Sequence, residues 1–109
     1  MKLPKYFGRQ KRPLKPLFLR RVQGNSMSPA LRPGRIVIAS SLRSPRPGMV
    51  VIVRHLGIEK IKRLDKIEDE KVFVLGDNPS SSTDSRHFGW LAHADIVGVV
   101  LMPRSLRRG

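Results

Sequence analysis

The segment Gly24-Asn25-Ser26-Met27-Ser28-Pro29-Ala30-Leu31-Arg32-Pro33-Gly34 cannot run as a long helix or an unbroken strand. Pro29 and Pro33 each remove a backbone donor and fix φ. Ser26 is therefore expected at a bend, with its hydroxyl and amide presented rather than absorbed in a ladder. A serine hydroxyl is a weak nucleophile until a base takes its proton. His55, His87 and His93 are the histidines available, and none comes with an evident carboxylate to orient it. Lysine is the other base. Its free pKa is about 10.4, and bringing it near 7 corresponds to roughly 4–5 kcal/mol of differential stabilisation. Burial among apolar side chains can supply that, because desolvation disfavours the charged form. The base must then come from a strand of an apolar sheet, which points to Lys60 and Lys62 rather than Lys66 or Lys71 beside an acidic turn. A strand places Lys60 and Lys62 on one face, so spacing leaves both open.

A second polar segment follows: Gly76-Asp77-Asn78-Pro79-Ser80-Ser81-Ser82-Thr83-Asp84-Ser85-Arg86. Asp84 and Arg86 are close enough in sequence to form an ion pair, worth little unless buried. In isolation the segment reads as an ordinary serine- and aspartate-rich turn.

The elements that must position these residues are short strands between Gly/Pro turns. Expected strands are Arg20–Gln23, Arg35–Ala39, Met49–Arg54, Ile58–Ile67, Lys71–Leu75 and Asp95–Pro103. The β-branched runs Ile36-Val37-Ile38 and Val50-Val51-Ile52-Val53 carry the clearest signal. Without a sustained 3.6-residue period, the pattern predicts an all-β fold, a small coiled sheet or partly open barrel. The chain divides into a basic irregular arm (1–19), a core (20–103) and a basic tail (104–109).

The formal net charge is +14, and there is no cysteine. Disulfides and thiolate metal sites are thereby excluded. The basic arm suits a polyanion, an anionic membrane surface or an acidic protein. No stretch approaches the roughly 20 apolar residues of a membrane helix. The arm also lacks a signal peptide's apolar segment. A cytoplasmic protein is expected, with peripheral contact at an anionic membrane through the arm. One Trp and one Tyr, with no spaced aromatic platform, argue against a nucleic-acid partner.

Taken in order, Gly24–Leu31, then Pro47-Gly48-Met49-Val50-Val51, then Ile61-Lys62-Arg63, then Gly76-Asp77-Asn78 with Ser82-Thr83-Asp84-Ser85-Arg86-His87-Phe88-Gly89, resemble the four boxes of the signal peptidase I family. The resemblance covers about residues 20–103. It implies a bacterial serine endopeptidase with a serine–lysine dyad. Ser26 would be the nucleophile, Lys62 the base and Ser82 the hydroxyl that orients the lysine. Asp77, Asn78, Asp84 and Arg86 would be structural supports. The Ser26 N–H would serve the oxyanion. Some members add a serine hydroxyl two residues before the nucleophile, where this chain has Gly24, so the second donor is unassigned. Met27, Ile36, Val51 and Ile52 are candidates for the substrate pocket. No cofactor or metal is implied.

The short form, with only Leu64–Leu75 between the lysine box and Gly-Asp-Asn, is similar to the maturation proteases of nickel-type superoxide dismutase. The partner implied is a precursor protein that loses an N-terminal extension, and any nickel belongs to that substrate. Other readings are signal-peptidase-like processing of different precursors, a LexA-type self-cleaving regulator and a non-enzymatic basic binding module. The LexA-type regulators usually carry an Ala-Gly or Cys-Gly scissile pair, which this chain lacks.

Overall fold

The computed structural model describes residues 14–104; residues 1–13 and 105–109, most of the expected arm and tail, lie outside the described residues. The described residues form seven strands: β1 (Phe18–Arg21), β2 (Ile36–Ser40), β3 (Val50–His55), β4 (Ile58–Glu68), β5 (Lys71–Leu75), β6 (Leu91–Ala92) and β7 (Ile96–Met102). They form one antiparallel sheet in the order β1-β2-β7-β3-β4-β5-β6, curled into a half-barrel. The all-β expectation holds. Each expected strand is present, Lys71–Leu75 with the same bounds and the others within a residue or two at their ends. β6 and the single helical turn α1 (Ser85–Phe88) were not expected from the sequence. Regular contacts also reach into residues expected to belong to the arm. Lys15 N donates to Ser41 Oγ at 2.7 Å, and β1 starts at Phe18.

Two-residue turns close the central hairpins. Leu56 and Gly57 join β3 to β4 with φ of 51° and 77°, and Asp69 and Glu70 join β4 to β5 with φ of 48° and 63°. Positive φ at both central residues matches the right-handed twist of the flanking strands. These turns fix the register that sets Val51 opposite Lys62 and Val53 opposite Lys60.

The pleat splits the apolar residues between two cores. Val51 and Val53 join Met49, Leu64, Val72, Val74, Leu91, Ile96 and Val99 in one cluster. Val50 joins Val22, Met27, Leu31 and Val37 in the other. One-residue alternation along β3 thus serves both. The curl brings β1 across toward strands it does not pair with. A β-carbon on Gly98 of β7 would lie 2.7 Å from the Phe18 ring, so glycine lets β1 fold over. On the open side, Arg20 of β1 grips Glu59 of β4, with Nε to Oε1 at 2.7 Å and Nη2 to Oε2 at 3.1 Å. Arg20 is therefore part of the barrel's closure.

Candidate active site

β5 pairs with β4 only from Arg63 to Glu68. The first half of β4 has no strand on that side, and a cleft of about 530 Å³ opens there. Its floor is Ile58 to Lys62. Its walls come from Arg20 and Arg21 of β1, the bend Gln23–Ser26, and Ser81 and Thr83. Ser26 and Lys62 thus line one cavity, although they are far apart in the chain.

The bend is held by the loop after β5. Asn78 N donates to Ser26 O at 2.8 Å, and Asn78 Nδ2 donates to Asn25 O at 3.1 Å. Asp77 N points at Met27 Sδ, 3.4 Å away. Met27 itself is buried in the second core, which anchors the bend from below. The Asp77 carboxylate takes a bidentate pair from Arg63, Nε at 2.9 Å and Nη2 at 2.7 Å, and both side chains are nearly buried. Gly76 lets these pieces meet. A β-carbon there would stand 2.1 Å from Ser82 Oγ and 2.8 Å from Ser26 O.

Neither the Ser26 hydroxyl nor its N–H bonds to a described residue, and the side chain is half-buried at the cleft. Both remain available to a bound molecule.

Lys62 is only 4% exposed. Its Nζ donates to Ser82 Oγ at 3.0 Å. Ser82 Oγ in turn donates to Asp84 Oδ2 at 2.6 Å. The direction is forced: an ionised carboxylate only accepts, so the one hydroxyl proton goes to Asp84 and Ser82 must accept from the amine. Asp84 is fully buried and takes further bonds from Gly76 N at 2.8 Å, Arg86 N at 3.1 Å and Arg86 Nη2 at 2.5 Å. It also caps α1. Burial alone would push the Asp84 carboxyl up, but the bonds from Arg86, Gly76 and Ser82 overcome that and hold it well below the usual carboxylate range. Burial pushes the Lys62 amine below the ordinary lysine value. The Asp84 charge opposes that shift, and the Lys60 and Arg86 cations reinforce it. No direct hydrogen bond joins Lys62 to Ser26.

The structure therefore brings together Ser26, Lys62, Ser82, Asp77, Asn78, Asp84 and Arg86. It does not bring the four expected pocket residues to the cleft. Met27, Val51 and Ile52 are fully buried in the sheet's interior, and Ile36 is exposed on β2. Met27 packs inward as the anchor of the bend, and Val51 and Ile52 lie on a strand covered on both faces. His55 stacks on Phe88, and His87 Nδ1 accepts from Asp84 N at 3.3 Å. Neither histidine lines the cleft. Gly76 and Arg63 were not singled out for the work they do, although a glycine between a β-strand and Asp-Asn was the available signal.

No helix among the described residues is long and apolar enough to cross a membrane. A family model described as Peptidase S24-like matches residues 1–101. Over 49 residues, 45% of the chain, the sequence is 37% identical to Signal peptidase I V of Bacillus subtilis (strain 168). That match spans 29% of the relative's length. With a family model matched along nearly its whole length, the chain belongs to the Peptidase S24-like family.

Proposed function

We propose that the chain is a serine endopeptidase in which Ser26 attacks the scissile carbonyl and Lys62 takes its proton. The observation that carries this is a buried lysine amine, orientated by Ser82, inside the cleft that Ser26 lines. A neutral amine has one lone pair and two N–H groups. One N–H is committed to Ser82, which fixes the nitrogen's direction and leaves the lone pair to face the serine. Closing the remaining gap belongs to the substrate complex, where such bonds tighten.

The attack transfers the Ser26 proton to Lys62 Nζ as the Oγ–carbonyl bond forms. The unbonded Ser26 N–H donates to the resulting oxyanion. Lys62 then returns the proton to the leaving amine, and water repeats the sequence on the acyl-enzyme. The unpaired edge of β4 suits an extended peptide, which would gain main-chain bonds along Ile58 to Lys62.

The substrate we propose is a precursor protein that loses an N-terminal extension, and the precursor of nickel-type superoxide dismutase is the first to test. Its support is the resemblance of Gly76–Pro79 and Ser82–Arg86 to that subfamily, together with the short Leu64–Leu75 connection. A cytoplasmic site of action, with the basic arm on the precursor or an anionic membrane, belongs to the same proposal.

The test is co-expression with that precursor and mass measurement of its N-terminus. Wild type trims it, whereas Ser26→Ala and Lys62→Ala each lose at least about 10³-fold in rate. Trimming that survives either change removes the dyad. Lys60→Ala abolishing cleavage while Lys62→Ala does not would move the base to Lys60. An untouched precursor, with other peptides cut in a Ser26-dependent way, would change the substrate and leave the chemistry standing. Purified protein incubated alone is expected to stay intact.

A further inference from the structure

Among the described residues, nearly every lysine and arginine either sits in solvent or has a polar partner. Lys62 bonds Ser82, Arg63 bonds Asp77, and Arg20 bonds Glu59. Lys60 departs from that pattern. It is half-buried in the cleft and meets no carboxylate. Its Nζ lies 5.5 Å from the centroid of the Phe88 ring, and that ring is itself stacked on His55 at 4.2 Å. Withdrawing an ammonium from water without a counter-ion is costly. The ring face returns part of that cost and fixes where the charge sits.

We propose that Lys60 is a positioning residue for the Lys62 amine: a second ammonium, held on the same face of β4 by the Phe88 ring, that opposes proton uptake two residues away. The inference rests on reading Lys62 as the base. Lys60 and Lys62 stand opposite Val53 and Val51 in the β3–β4 register, so both project to one face. The other charges around Lys62 are largely matched. Asp84 faces it from the loop but is paired to Arg86. Glu59 lines the cleft but is held by Arg20 and Arg54. Arg21 lines the far wall, with its Nη1 donating to Gly34 O at 3.3 Å. Lys60 is the cation nearest along the strand with no matching anion. Two residues of strand are about 6.5–7 Å. At an effective dielectric of roughly 40, between the protein-surface value and bulk water, that separation corresponds to about one pH unit in the neighbour's titration, a tenfold change in the free-amine fraction. The direction agrees with the contribution of Lys60 to the lowered Lys62 value.

The experiment reads the amine directly and needs no peptide. The full chain is labelled with [13C]lysine, and the Cε resonances are titrated by NMR, with Lys62 identified from its loss in Lys62→Arg. Lys60→Met should raise the Lys62 midpoint by about one unit, and Lys60→Arg should leave it within about 0.3. Raising the salt on wild type should move it in the same direction as Lys60→Met, by less, without altering packing. Lys60→Gln provides the same test if the methionine variant does not fold. An unmoved or lowered midpoint in the neutral variants, with the sheet's amide spectrum unchanged, overturns the role given to Lys60 and leaves Lys62 as base. A wild-type Lys62 midpoint at the ordinary lysine value overturns both.

Discussion

Replacing Gly76 with alanine adds one methyl group, touches no charge and removes no hydrogen-bonding atom. The added carbon would meet Ser82 Oγ at 2.1 Å, Ser82 Cβ at 2.6 Å and Ser26 O at 2.8 Å. Real β-carbons essentially never sit this close to other heavy atoms, so something must move. The Ser26 oxygen is backbone and is bonded to Asn78 N, and Ser82 is held between Lys62 and Asp84. The cheapest relief rotates or withdraws Ser82, which breaks the link between the lysine and Asp84. Overpacking of this kind costs about 1–3 kcal/mol. Losing a buried hydrogen bond to a carboxylate adds roughly 1.5–3 kcal/mol. The stiffer unfolded chain returns about 0.4–1 kcal/mol. The net expectation is a loss of about 2–5 kcal/mol. At roughly 4–8 °C per kcal/mol for a domain of this size, that is a fall in Tm of the order of 10–40 °C. Activity should fall further than stability, because the folded fraction also holds its amine wrongly. Urea unfolding gives the first quantity, and peptide hydrolysis below the melting range gives the second. A variant within about 0.5 kcal/mol of wild type and within twofold in rate would refute the claim that Gly76 sets the spacing between Ser26 and Ser82.

Three further perturbations separate stability from chemistry. The Asp84 carboxyl is held low in the fold and would titrate near 3.9 when unfolded, so the unfolded chain binds more protons in acid. Its stabilisation is complete above about pH 4 and is lost as pH falls toward the folded value; Asp84→Asn should flatten that acid slope in urea titrations and abolish hydrolysis, and an unchanged slope would count against it. For Lys62 the folded value is the lower one, so stability rises with pH from that value up to the unfolded value near 10.4. Lys62→Met should remove this rise, gain of the order of 1 kcal/mol at neutral pH and lose activity; a less stable, still pH-sensitive variant would contradict the burial argument. Asp77→Leu leaves the buried Arg63 guanidinium without its carboxylate and should cost about 3–5 kcal/mol, whereas Arg63→Met with Asp77→Leu should cost less than either single change; denaturant midpoints of the two single variants and the double decide it.

The strands were legible because their physics is local. Val50 to Val53 cannot be anything but a buried β run, and Asp69-Glu70 supplies a two-residue reversal between runs. What was not legible depended on distant partners. The half-barrel's curl is set by Phe18 over Gly98 and by Arg20 on Glu59, contacts between strands that do not pair. α1 is one turn long and β6 two residues, too short to show a period. Within the site, alternation put Lys60 and Lys62 on one face but could not rank them. The difference appears only when the loop after β5 returns and sets Ser82 against Lys62, leaving Lys60 to an aromatic ring. The apolar residues around Ser26 misled for a similar reason. Met27 is near the serine in the chain because it anchors the bend, and its side chain faces the core.

The adjacent cations Lys62 and Arg63 show what the fold does with such residues. Both are nearly buried, and the pleat sends them to opposite faces of β4. Arg63 receives a carboxylate in bidentate contact, which suits a guanidinium that never loses its proton. Lys62 receives a hydroxyl instead, with the carboxylate one atom further back. Had Asp84 met the amine directly, the opposite charge would raise its pKa and keep it an ammonium. Had there been no carboxylate at all, the Ser82 proton would be free to point at the amine and occupy its lone pair. Interposing a serine gives the orientation that an anion imposes without placing that anion in contact with the amine. The arrangement also accounts for Arg86, which bonds both carboxylate oxygens of Asp84, including the Oδ2 that takes the Ser82 proton, and so weakens the pull of Asp84 on the amine. A Ser82→Asp variant should therefore set a carboxylate against the amine and convert the site to an ion pair, at a cost in stability because Asp84 lies beside it. Its hydrolysis at pH 7 should drop by at least about 10²-fold, with activity returning as the pH is raised toward the lysine's new midpoint. A Ser82→Ala variant, which loses orientation without gaining charge, should show no such recovery; identical pH profiles for the two would show that Ser82 does not act by keeping charge away from the Lys62 amine.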